Sequence, residues 1–259
     1  MSYKDILVFL DPFLDTDARV KLAVEVARAH GARLTGVDVS TRAALEGPYH
    51  FTAGVLEERF TEAVKQAGIT GEYKVMDETS KSWKDFYAHY ADLVIASQHD
   101  PDSPKKLAAD IVEPVLLSAG VPLLILPTEW PYAPVGKRIA LAWNSSREAT
   151  RAAHDAMPLL VAAEKVMLFE FAPETDVKES APDLMADHLR QHGVTVEVQA
   201  WADPGDASPV TALFALLDEN EIDLIVAGAY GHSRLIEGLF GGPSADLLHQ
   251  PSMPVLMSH

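Results

Sequence analysis

The run of residues 228–244, GAYGHSRLIEGLFGGPS, carries the clearest chemical signal in the chain, and it follows directly on the apolar stretch IDLIVA. Gly228, Gly231 and Gly241 set the spacing G-x2-G-x9-G. A glycine at a strand end allows a left-handed turn and lets a ligand approach where a Cβ would stand, and the amides of the loop behind it can line an anion nest. Gly241, Gly242, Pro243 and Ser244 precede ADLLHQ, so Gly242 reads as an N-cap, Pro243 as the first helical residue and Ser244 as a hydroxyl donor in the first turn. A phosphate there would meet amides, a hydroxyl and the positive end of the helix dipole. His232 and Arg234 could add a ring N–H and a guanidinium fork. The plain alternative is a tight turn after a buried strand, with His232 and Arg234 as solvent-facing loop residues.

Other candidates are weaker. Ser244 lacks the G-x-S-x-G elbow of an activated nucleophile. His188 and His192 stand four apart in APDLMADHLRQHG with Asp187 beside them, which is metal-ligand spacing, yet no H-E-x-x-H pattern or third ligand is apparent, and a solvated helix end before a glycine stop reads better. Trp83, Phe86, Tyr87 and Tyr90 recur at helical spacing, as core or interface aromatics do. Asn144 opens NSSRE, a helix-capping pattern. There is no cysteine, so any chemistry uses oxygen and nitrogen groups. Lys and Arg number 21 against 38 Asp and Glu, a net charge of −17 that opposes binding to nucleic acid or an anionic membrane surface. No apolar stretch approaches the roughly 20 residues of a membrane span, and MSYKDILVFLD lacks a signal-peptide layout, so a cytoplasmic location is expected.

The elements that must position these residues come in two copies. KDILVFLD (4–11) pairs with KRIALAWN (137–144), ARLTGVDV (32–39) with EKVMLFEF (164–171), ADLVIAS (91–97) with IDLIVAG (222–228), and VPLLILP (121–127) with MPVLMSH (253–259), at offsets of 131 to 133 residues. Helical patterns such as DARVKLAVEVARAHG and SPVTALFALLDENE lie between them. Continuous Val/Ile/Leu runs suit strands buried on both faces, and the alternation with helices predicts right-handed crossovers over a mostly parallel sheet. The expectation is two tandem doubly wound α/β domains, 1–131 and 132–259, joined through the proline-rich PTEWPYAPVGK.

The glycine spacing, the ALAWNSS segment and the closing MPVLMSH strand together resemble the universal stress protein family, and over both halves the resemblance covers nearly the whole chain. It implies Rossmann-like domains with five-stranded sheets, a pseudo-dimer of the two halves through their last strands with a homodimer as a further step, and binding of ATP or a related adenine nucleotide with or without Mg²⁺. It puts Asn144 near the adenine, Gly228, Gly231 and Gly241 around the ribose and phosphates, and Ser244 on a phosphate; Ala142, His232, Arg234 and Gly242 complete the set of candidate nucleotide-binding residues. Asn144 stands where the family has aspartate, and Gly242 where it has Ser or Thr. The first half departs further: Ser97, Asp100, Ala109 and Asp110 replace Gly228, Gly231, Gly241 and Gly242, and carboxylates at 100, 102 and 110 would repel a phosphate unless Lys105, Lys106 or a metal offset them.

Three readings follow. The first is a stress-response protein that binds nucleotide in its second half, with a degenerate first half. The second is a slow ATPase, although no arginine finger or water-orienting glutamine is evident. The third is an interaction module that uses no nucleotide and pairs through its apolar terminal strands.

Overall fold

The computed structural model of the protein describes residues 2–11, 16–40, 54–76, 87–98, 111–128, 130–170, 181–199, 216–229 and 253–259. The chain divides into two compact units, Met1–Ala133 and Pro134–His259.

In the first unit the order is β1 (Asp5–Leu10), α1 (Thr16–His30), β2 (Arg33–Asp38), α2 (Val55–Ala67), β3 (Gly71–Val75), a 3-10 turn (Ala88–Tyr90), β4 (Leu93–Ser97), α3 (Val112–Ser118) and β5 (Leu123–Leu126). The strands lie in the order β3-β2-β1-β4-β5, each parallel to its neighbours. β1, β4 and β5 are buried along almost their whole length, which is why they read as unbroken apolar runs. β3, GEYKV, is the exposed edge strand and carries no such run, so its sequence does not announce it. α1 buries Val20, Ala23 and Ala27 at helical spacing and ends at Gly31, whose φ of 60° is the left-handed conformation expected of a glycine stop.

The second unit repeats the plan with β6 (Arg138–Trp143), α4 (Arg147–Asp155), α5 (Met157–Ala162), β7 (Lys165–Glu170), α6 (Ala181–Gln191), β8 (Val196–Gln199), a helical turn over 216–219, β9 (Leu224–Gly228) and β10 (Val255–Ser258). Its strand order is β10-β9-β6-β7-β8, again all parallel. β8, with the short sequence VEVQ, is the partly exposed edge. The helix after β6 breaks at Ala156, and Pro158 opens its second piece, because proline has no amide to give to the turn before it.

One contact is made in the same place in both units. Asp92, just before β4, accepts the backbone amides of Lys4 at 2.6 Å and Asp5 at 3.0 Å. Asp223, just before β9, accepts those of Gly136 at 2.8 Å and Lys137 at 3.0 Å, with Arg138 at 3.3 Å. Each aspartate ties the start of one central strand to the start of its neighbour. Burial pushes the Asp223 carboxyl up against the opposing pull of those amides.

The segment between the units is not a free tether at its start. Trp130 is buried and meets Tyr132 edge-on, and Lys21 of α1 sits 3.5 Å over the Tyr132 ring while the Tyr132 hydroxyl donates to Glu25. Of the aromatic group, Trp83 and Phe86 lie outside the described residues, Tyr87 is half-buried and Tyr90 is exposed. Among the described residues, no helix is long and apolar enough to cross a membrane.

Candidate functional site

The second unit's chain enters its sheet at β6, builds outward through β7 and β8, then returns to the other side of β6 with β9 and β10. Strand order therefore reverses between β6 and β9, and in open parallel sheets the ligand crevice lies beyond the carboxyl ends at such a reversal. The register Ile139↔Leu224 to Leu141↔Val226 brings the two strands to that edge together. Asn144 is the first residue beyond β6 and Gly228 the last of β9. Ala142 is a half-buried residue near the end of β6, in register with Phe169.

Asn144 Oδ1 accepts the Ser146 amide at 3.1 Å, and Ser146 Oγ accepts the Ala149 amide at 3.1 Å. The capping pattern read from NSSRE is present, with Ser146 as the N-cap and Ser145 at a φ of 58° between the two. This seats the start of α4 at the crevice.

Gly228 differs from expectation in one respect. It is not among the glycines of positive φ; it continues the strand, in register with Ser258, and Ala229 donates to the Ser258 carbonyl at 2.8 Å. The absence of a side chain has another cause. A Cβ at Gly228 would fall 2.4 Å from the carbonyl carbon of Glu148 and 2.5 Å from the amide nitrogen of Ala149. The glycine is there so that α4 can press onto the strand end.

Two buried polar atoms at this edge have no hydrogen-bond partner among the described residues, Trp143 Nε1 at the end of β6 and Ser258 Oγ beside Gly228. Gly231, His232, Arg234, Gly241, Gly242 and Ser244, with Pro243, lie outside the described residues.

The equivalent edge of the first unit is built differently. Asp11 follows β1, and its carboxylate takes the Arg19 guanidinium at 2.6 Å, with the Thr16 hydroxyl donating to the Asp11 carbonyl at 2.6 Å and Arg19 also reaching Thr16 Oγ1 at 2.8 Å. Arg19 is 1% exposed. Sequence reasoning passed over it, because an arginine in the first turn of an amphipathic helix ordinarily faces solvent. Ser97 ends β4, while Asp100, Asp102, Lys105, Lys106, Ala109 and Asp110 lie outside the described residues. His188 and His192 are on α6, and Asp187 is engaged by Arg190 at 2.7 Å rather than by either histidine.

The sequence profile of the universal stress protein family matches residues 136–259. Among solved structures, a universal stress protein from Archaeoglobus fulgidus DSM 4304 superposes with a TM-score of 0.66 at 16% identity, covering 98% of this chain and 97% of that one. A functionally unknown protein from Pseudomonas aeruginosa PAO1 superposes at 0.58 and 15% identity, covering 99% and 92%. A universal stress protein in complex with cAMP shares 18% identity over 49% of this chain and 98% of its own, with a TM-score of 0.38. No curated protein matches the sequence. Each five-stranded α/β unit thus has a fold found in full-length structural relatives, and residues 136–259 form a domain that matches the universal stress protein family.

Proposed function

We propose that the second unit binds an adenine nucleotide, ATP foremost, and that the chain acts in the cytoplasm as a stress-response protein regulated by that ligand. One observation carries the reading: the glycine-rich run leaves β9 at the point where strand order reverses, beside Asn144 and the start of α4. A ligand at that edge meets the cap of α4 on one side and the loop beginning at Ala229 on the other. Phosphates then lie over amides of the loop, with Gly231, Gly241, Gly242 and Ser244 around them and His232 and Arg234 in reach, while the adenine lies toward Ala142 and Asn144. From residue 132 on the chain holds 8 Lys and Arg against 18 Asp and Glu, so the local amides work against an unfavourable field and Mg²⁺ accompanies the polyphosphate.

In the first unit the corresponding position is a carboxylate already neutralised by the chain's own guanidinium, which supports a single site per chain. Association with a second copy belongs to the same reading and is read by light scattering. Calorimetric titration of ATP, ADP and AMP, with and without Mg²⁺, into the full chain and its Gly231→Val variant tests the proposal. The expected result is one site per chain, lost in the variant. No binding of any of the three would refute it and leave an interaction module; phosphate release above the variant's background would add turnover to it.

A further inference from the structure

The glycine-rich run departs from β9 through Ala229, and both backbone polar groups of that residue are held from one place. Its amide donates to the Ser258 carbonyl at 2.8 Å, and its carbonyl oxygen lies 3.1 Å from His259 Nδ1. A carbonyl can only accept, so Nδ1 carries the proton and donates it. The ladder between β9 and β10 closes with Gly228 opposite Ser258, so the Ala229 carbonyl lies beyond it and a side chain supplies a donor. Ala229 is buried, at 0% exposure, where a carbonyl without a donor would be costly.

The imidazole stands on a firm base. Val255, Leu256, Met257 and Ser258 are all buried, so the strand that carries it has little room to shift. His259 itself is exposed, and replacing it disturbs no core packing. The contact matters because a peptide unit is planar and trans: the carbonyl of one residue and the amide of the next share a plane and point opposite ways. Fixing the direction of the Ala229 carbonyl therefore fixes the direction of the first amide of the loop. A run of amides holds an anion well only when they are aimed before the ligand arrives, since ordering them on binding is subtracted from the affinity.

We propose that His259 is a positioning residue for the glycine-rich loop. Through its hydrogen bond to the Ala229 carbonyl it sets the direction in which the loop leaves the sheet, and with it the affinity for a phosphate-bearing ligand. The proposal rests on the nucleotide reading for what the loop binds, and on the contacts of Ala229 alone for how the loop is held. His259 acts through Ala229 and needs no contact with the ligand.

The test compares the full chain with two variants. His259→Ala removes the donor, whereas His259→Asn returns an N–H on the atom next to Cγ, where Nδ1 stood. Amide hydrogen exchange is read at Ala229 and at Ile225, whose amide donates to the Pro254 carbonyl at 3.1 Å at the other end of the same strand pair. In His259→Ala, exchange at Ala229 should quicken at least about threefold with Ile225 unchanged, and His259→Asn should reverse the change. Unaltered exchange at Ala229, or equal quickening at both amides, would overturn the proposal, the second because it marks a general loss of stability. Calorimetric titration of ATP with Mg²⁺ should show binding weakened about three- to tenfold in His259→Ala, the worth of one hydrogen bond, and restored to within about twofold in His259→Asn. Affinity that His259→Ala leaves intact, or that His259→Asn does not restore, would also overturn it. If wild type binds no nucleotide, the nucleotide reading fails by itself, and exchange at Ala229 still decides whether His259 holds the root of the loop.

Discussion

Gly228→Ala adds a single methyl group at the tightest point of the second unit. That carbon would lie 2.4 Å from Glu148 C, 2.5 Å from Ala149 N and 2.8 Å from Glu148 Cβ. Relaxing those contacts toward the 3.5 Å at which carbon atoms sit comfortably requires the start of α4 to move by roughly 1 Å. The helix is poorly placed to do so. It buries Ala149, Ala152 and Ala153 at 2%, 0% and 1% exposure, and its small side chains leave no slack to redistribute. Overpacking of this kind costs about 1–3 kcal/mol, and backbone neighbours argue for the upper end. Against it stands the gain of up to about 1 kcal/mol from removing glycine's freedom in the unfolded chain, available because Gly228 does not need positive φ. The expected net loss is about 2 kcal/mol, read as a lower urea midpoint for the transition that unfolds the second unit, analysed unit by unit because two compact units need not unfold as one. Nucleotide titration of the folded variant should show weaker binding as well, since the displaced helix cap borders the proposed site. A stability change below about 0.5 kcal/mol, the range of an ordinary surface substitution, would mean that α4 does not seat on β9, and the argument for why a glycine ends that strand would fail.

Two further outcomes follow from the charges. Arg19→Met strands the Asp11 carboxylate in a buried setting and should destabilise the first unit by about 3–5 kcal/mol, whereas the double change Asp11→Leu with Arg19→Met should recover most of that loss in the same denaturation assay; equal losses in the single and double variants would show that the ion pair is not the cause. His188 is depressed from 6.5 in the folded protein, so the unfolded chain takes up the proton first; stability should be level above about pH 6.5 and fall as the pH drops below it, and His188→Gln should lessen that fall relative to wild type. His30, depressed by burial and then by Lys4, contributes with the same sign in both proteins and cancels in the comparison.

Four strands of each unit could be read from sequence because buried strands call for mostly apolar runs, as in LVIAS of β4 and LIVAG of β9. β3 and β8 could not, because an edge strand with one wet face tolerates GEYKV or VEVQ, and neither carries a signal beyond weak alternation. At the site, the cap at Asn144 and Ser146 was legible as local chemistry. The reason for Gly228 was not, since it depends on a helix some 80 positions away in the chain. The same holds for His154: only the fold brings it beside His188, on a helix that begins more than 20 positions later in the chain. Arg19 is the sharpest miss, because a buried guanidinium is specified by the carboxylate it meets and not by its own surroundings in sequence.

Asp92 and Asp223 have a wider consequence. They hold the amino-terminal rim of each sheet by the same backbone contacts, while the two copies part company at the opposite rim, with Asp11 against Asn144 and Ser97 against Gly228. Strand alignment is secured at the end where no ligand is expected, so the other end is released from that duty. One copy can close its crevice with its own arginine and the other can open into a glycine-rich loop without either change disturbing how the strands line up. The frame is common property; the rim is where each copy can specialise, and an exchange of rim residues between the copies tests function with the register of both sheets left intact.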